Sequence, residues 1–157
     1  MKKYTLSETE TKVWNDHTLH KVVYTKEWKR KHAYEDIEGG WIESEENLSQ
    51  DGDARVFGNT CVFGDARVYG DAYVFGNAYV YGNAYVYGDA CVYGDAYVCG
   101  DACVFGDACV CGDACVCGDT SVSQGKTTSM RIWTTEQWYE YQYRKAELQA
   151  KWDKDNE

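Results

Sequence analysis

The chain contains no proline. A fold made of strand ladders suits that absence, because proline cannot donate to a ladder. No run of about 18 apolar residues occurs, so no membrane-spanning helix is predicted. The opening Met1-Lys2-Lys3-Tyr4-Thr5 has no apolar stretch, so no secretory signal is predicted. The cytoplasm is the expected location, with thiols reduced despite 8 cysteines. Histidine is scarce: only His17, His20 and His32 occur. Positive charge is scarce in the middle of the chain. Residues 52–123 hold Arg55 and Arg67 against 9 aspartates, whereas residues 1–51 hold 8 Lys/Arg against 11 Asp/Glu, and the tail from Gln124 holds 6 against 6. The net charge of -10 therefore sits mainly in the middle. Phosphate neutralisation needs clustered Lys/Arg, so nucleic-acid binding through a basic patch is not expected.

What fills that middle is a repeat. Twelve hexapeptides run through 52–123 in the form Gly-Asp/Asn-Ala-x-Val-x, as in Gly70-Asp71-Ala72-Tyr73-Val74-Phe75. A period this strict predicts an all-β parallel β-helix, whose units bury their apolar side only by stacking. Positions 3 and 5 lie two apart on a strand, so they point inward together. Position 5 is Val in all twelve units, and position 3 is Ala except at Thr60 and Thr120. Gly and Asp/Asn suit the corner, where positive φ and local hydrogen bonds are needed.

The block, 72 of 157 residues, resembles the hexapeptide-repeat proteins that form left-handed parallel β-helices of triangular section. That resemblance implies three units per coil, with residue i stacked on residue i+18, and about four coils. The outward central column of the first face is then Arg55, Tyr73, Cys91, Cys109. The second is Cys61, Tyr79, Tyr97, Cys115, and the third is Arg67, Tyr85, Cys103, Ser121. The position after Val adds Phe57, Phe75, Tyr93, Cys111 to the first face, Phe63, Tyr81, Cys99, Cys117 to the second, and Tyr69, Tyr87, Phe105, Ser123 to the third. An aromatic belt thus covers the first three coils, and thiols gather in the last two.

Three segments are expected: a hairpin and connector over 1–39, the β-helix over 40–123, and a strand and helix cap over 124–157. Within 9–25, Val13-Trp14 and His17 to Tyr24 flank an Asn15-Asp16 turn. Lys26 to Ala33 reads as a basic, polar connector. The lead-in Gly39-Gly40-Trp41-Ile42-Glu43-Ser44-Glu45-Glu46-Asn47-Leu48-Ser49 resembles that of hexapeptide proteins of bacteria and their phages or prophages. Leu48 and Val56 are eight apart rather than six, which predicts a two-residue insertion between them. Thr134 and Gln137 form a capping box for an amphipathic helix over about 135–152, expected to cap the far end of the rod.

Relatives of such rods include acyltransferases with a histidine base and zinc carbonic anhydrases with three histidine ligands. Here every histidine lies outside 52–123 and no loop interrupts the repeat, so no catalytic residue is assigned. Corner aspartates Asp53, Asp71, Asp89 and Asp107 stack, but Asn77 and Asn83 interrupt the other corners, which speaks against a designed cation cable. Two sets of three thiols are weak metal candidates: Cys91, Cys109, Cys111 and Cys99, Cys115, Cys117. Cys91/Cys109 and Cys99/Cys117 are each close enough for a disulfide by Cα distance. No cofactor is expected. The candidate binding or oligomer-contact residues are Arg55, Arg67, Tyr73, Tyr79, Tyr85 and Tyr97. The expected function is a non-enzymatic, homo-oligomeric binding or scaffold protein, trimeric by resemblance, phage- or prophage-encoded and acting on a host component, with a host protein or a small nucleotide as the partner. Two alternatives stay open: an acyltransferase-like enzyme using His17 or His20 of a neighbouring copy, and an anti-defence protein that sequesters a small nucleotide or mimics DNA.

Overall fold

The computed structural model describes residues 2–14, 16–33, 38–127, 131–132, 147, 150–151 and 153–156. It is an all-β parallel solenoid of about 5 turns with an N-terminal antiparallel hairpin. The hairpin comprises β1 (Tyr4–Trp14) and β2 (His17–Tyr24), and is followed by helix α1 (Lys26–His32) and β3 (Trp41–Ile42). Each hexapeptide then contributes one two-residue strand, from β4 (Arg55–Val56) to β15 (Ser121–Val122), with β16 (Lys126–Thr127) and β17 (Arg131–Ile132) closing the series.

The eighteen-residue stacking holds throughout the repeat. Arg55 pairs in parallel with Tyr73, Tyr73 with Cys91 and Cys91 with Cys109, and the other two faces follow the same rule. The N–H of each outward residue donates one coil on, as Asn77 to Gly94 O (2.8 Å), Tyr79 to Ala96 O (2.9 Å) and Tyr81 to Val98 O (3.0 Å). Side chains at positions 3 and 5 fill the interior: from Ala54 to Val116 every repeat Ala and Val is fully buried. Only small side chains fit a tube whose three walls come from one coil, which is why the repeat admits Ala and Val and little else. Removing that apolar surface from water supplies the driving force. Corner glycines take positive φ; at Gly82 (φ 73°) an added Cβ would also sit 2.9 Å from the backbone nitrogen of Gly100 in the next coil.

The solenoid exceeds four coils because partial coils are added at both ends. Trp41 and Ile42 pair with Cys61 and Val62, and Leu48 bridges Val68, each twenty residues on. The two extra residues are the insertion anticipated between Leu48 and Val56. The polar letters of the lead-in stitch this coil together. Asn47, only 1% exposed, accepts from Glu43 N and Ser44 N and donates to Gly64 O and Ala66 O. Gln50 holds the backbone of Lys3 and Tyr4. Gly39 is required by space, since a Cβ there would lie 1.9 Å from Val22 O.

The hairpin begins at Tyr4, earlier than 9. Its ladder shifts between Leu6 and Thr11, and in that bulge Ser7 Oγ accepts from Thr9 N and Glu10 N. No alternation survives across such a bulge, so the pattern hides the strand's first half. Lys26–His32 form a helix, with Ala33 as its left-handed C-cap, where the sequence reading expected a connector over 26–33. Thr25 caps it by accepting from Trp28 N (3.3 Å), Glu27 occupies the first turn, and Lys29, Arg30, Lys31 and His32 occupy the last. Its Trp28 stacks on Tyr24 at 4.5 Å and anchors it to the first face.

At the C-terminus, Glu147, Ala150, Lys151 and 153–155 are helical. Lys151 Nζ bonds Asp16 and Asn156 Nδ2 donates to Val13 O (2.8 Å), so these residues meet the tip of the hairpin. The capping box at Thr134 and Gln137, and the expected capping of the far end, lie outside the described residues.

Candidate functional site

The three faces share one backbone plan and differ in what covers them. On the second face the hairpin lies over the first coils. Cys61 and Phe63 are buried beneath it with Trp14 and Leu19. Trp14 stacks on Tyr79 at 5.2 Å, which in turn stacks on Tyr97 at 5.1 Å. Burial therefore raises the phenols of Tyr79 and Tyr97 above their ordinary value and pushes the Cys61 thiol up to about 12. On the first face, Tyr24 and Trp28 bury Phe57. Arg55 places its guanidinium 4.4 Å over the Tyr73 ring and donates to Asp53 O (2.8 Å). Four of the six sequence candidates, Arg55, Tyr73, Tyr79 and Tyr97, are thus engaged within the fold.

The third face is different. Strands β6 (Arg67–Val68), β9 (Tyr85–Val86), β12 (Cys103–Val104) and β15 form a flat four-stranded sheet. Among the described residues, no hairpin or α1 side chain makes a hydrogen bond or ring contact with it. Arg67, Tyr69 (37%) and Tyr85 (38%) are exposed, and Tyr87, Cys103 and Phe105 are half-buried. Tyr69, Tyr87 and Phe105 form one continuous ladder, with centroids 4.9 and 5.2 Å apart and planes within 5° and 6° of parallel. Tyr85 meets Tyr69 edge-on at 6.2 Å. So the candidates Arg67 and Tyr85 are brought together with three aromatics that residue-by-residue reasoning passed over. Their positions were on the stacking map; only the docking of the hairpin decides which face stays open.

The ladder geometry limits its chemistry. Parallel rings in carbon contact need about 3.5 Å between planes. At 4.9 Å between centroids, two such rings cannot both lie flat on the sheet. Their faces point mainly along the stack and are taken by each other, while edges and hydroxyls point outward. Such a surface offers edges and hydroxyls outward and leaves little open ring face for a stacked base.

The remaining candidates resolve by position. Cys99 and Cys117 form a disulfide, Cα–Cα 4.8 Å, tying the third coil to the fourth. Cys61, Cys91, Cys103, Cys109, Cys111 and Cys115 are free thiols. Among the described residues no group of three or more His, Cys, Asp or Glu is arranged to hold a metal ion. On the corners Asn59 donates to Asn77, Asn77 to Asp95 and Asn83 to Asp101, so the asparagines relieve carboxylate repulsion. The histidines are dispersed. His17 Nδ1 is 2.6 Å from Glu43, whose other oxygen accepts from Gly64 N; His20 Nδ1 meets Ser7 O; His32 bridges Trp28 O and Asp53. No helix among the described residues is long and apolar enough to cross a membrane. No protein-family model and no curated protein matches the chain.

Proposed function

We propose that the chain is a non-enzymatic scaffold that self-associates through its third face into a closed homo-oligomer, with the trimer favoured, and presents the remaining surfaces to a host protein. The observation that carries this reading is the aromatic sheet of Arg67, Tyr69, Tyr85, Tyr87 and Phe105, exposed or half-exposed and untouched by the described hairpin and α1 side chains. Contiguous exposed apolar area of this kind marks an interface, and copies that turn one face towards a three-fold axis meet one another there in a closed ring. The cytoplasmic setting stays part of this reading on the sequence alone; the closed Cys99–Cys117 bond departs from the fully reduced thiols expected there. The hexapeptide-repeat and phage affinity rests on the repeat and on the lead-in at 39–49.

Sedimentation equilibrium of the full chain tests the reading. A single closed oligomer is expected, and the double variant Tyr69→Asp/Tyr85→Asp should sediment as a folded monomer. A wild-type monomer at high concentration, or an oligomer indifferent to both changes, would sink it. Turnover on a panel of acyl-coenzyme A donors and acceptors would contradict the non-enzymatic part, and heat released on titration with nucleotides would favour the sequestering alternative.

A further inference from the structure

We propose that Cys91 and Cys109 form a reversible redox dithiol, which closes into a second disulfide between the third and fourth coils by exchange with a low-molecular-weight disulfide of the glutathione type. Three observations point to it. The two residues are direct partners in neighbouring parallel strands, so both side chains leave the same side of the sheet one strand step apart. Both thiols are free and half-exposed. The same coil step, across the same eighteen-residue separation, already carries a closed bond at Cys99–Cys117. No other free cysteine among the described residues has this arrangement. The strand partners of Cys103 are Tyr85 and Ser121, those of Cys61 are Trp41 and Tyr79, and Cys115 pairs with Tyr97 and Arg131. Cys111 is buried.

Burial, and then the neighbouring Cys109, raise the Cys91 thiol above its ordinary value. The exchange takes two steps. One thiol of the pair, as its thiolate, attacks one sulfur of the small disulfide, forming a mixed disulfide and releasing one small thiolate, which takes up the proton that thiol lost. Its partner then gives up its proton and attacks the protein sulfur of the mixed disulfide, expelling the second small thiol. Two protein thiols become one disulfide, and one small disulfide becomes two small thiols. The closed bond lies on the first face, while Cys99–Cys117 lies on the second, so the last regular coil is then tied on two sides.

The repeat supplies its own assay. No Lys or Arg lies between Arg67 and Lys126, but cleavage before aspartate separates Cys91 (89–94), Cys99 (95–100), Cys103 (101–106) and the Cys109/Cys111 pair (107–112). The folded full chain is equilibrated in glutathione buffers of graded oxidation, quenched in acid, alkylated and mapped by mass spectrometry. Peptides 89–94 and 107–112 should appear joined under oxidising buffer and separate again under reducing buffer. The link should vanish in Cys91→Ser and Cys109→Ser and persist in Cys111→Ser. A folded chain that forms no 89–94/107–112 link in fully oxidised glutathione, or a link that survives Cys109→Ser, would overturn the proposal.

Discussion

Tyr69 and Tyr87 stand eighteen residues apart in sequence and face to face in space, with centroids 4.9 Å apart and ring planes within 5°. One coil of the solenoid separates them, so the rung spacing sets the ring spacing. The contact turns a column of exposed aromatics into a rigid ridge whose ring faces are spent on each other. What remains outward is edge and hydroxyl, joined by Arg67 and Tyr85. That ridge distinguishes the third face from two faces already occupied by the hairpin and α1.

Gly39→Ala tests how the N-terminal segment is seated. The new Cβ would meet Val22 O at 1.9 Å, a backbone atom that cannot rotate away. Overpacking of this kind costs about 1–3 kcal/mol. Urea unfolding should show a lower midpoint at unchanged slope, and the hydrogen bond from Val22 N to Gly40 O should exchange faster. A variant as stable as the wild type would contradict the close approach of lead-in and hairpin.

Cys99–Cys117 closes a loop of eighteen residues near the end of the rod. Bonds closing loops of this size stabilise by about 3 kcal/mol. Cys117→Ser should lower the unfolding free energy by that order, and dithiothreitol should then have no further effect on stability. An unchanged denaturation midpoint on reducing the wild type would show that the bond contributes nothing.

Alkaline pH should weaken the fold through groups buried on the first and second faces. Cys61 is pushed from 9.0 to about 12, and burial also raises Tyr24 and Tyr79 above 10.0. These folded-state values lie above the unfolded ones, so the native state holds protons that the unfolded chain releases. Their contribution is fully present below pH 9 and is lost as the pH rises past 9 for the thiol and past 10 for the phenols. The urea midpoint should fall over that window in the wild type, and less steeply in Cys61→Ala. Parallel pH profiles for the two proteins would rule out Cys61 as a contributor.

Much of this was legible from the repeat together with the three-units-per-coil stacking that its family resemblance implies. Once residue i stacks on i+18, the partners Arg55–Tyr73, Cys91–Cys109 and Tyr85–Cys103 follow, and the eight-residue step from Leu48 to Val56 announces an insertion. What the repeat cannot encode is contact made by the non-repeating flanks. The helix at 26–32 is signalled by Thr25, Glu27 and the basic last turn, yet seven residues carry too little periodicity to be distinguished from a polar connector. The Ser7 bulge erased the alternation of β1. Which face stays open depends on Trp14 landing on Tyr79 and Trp28 landing beside Phe57, both long-range contacts with no local signal. The choice of Cys99–Cys117 over Cys91–Cys109 for the closed bond was equally invisible, because both pairs share one Cα spacing.

Cys103 offers the most direct measurement of the central claim. It is a free, half-exposed thiol at the middle of the third face, in register with Tyr85 above and Ser121 below. The full-length protein is treated with a short bis-maleimide, cleaved before aspartate and mapped by mass spectrometry. If copies associate through this face, peptide 101–106 should be linked to a second copy of itself, and the link should disappear in Tyr69→Asp/Tyr85→Asp. An oligomer linked between chains through Cys91 or Cys109 instead, with Cys103 modified only singly, would contradict the assignment of the third face.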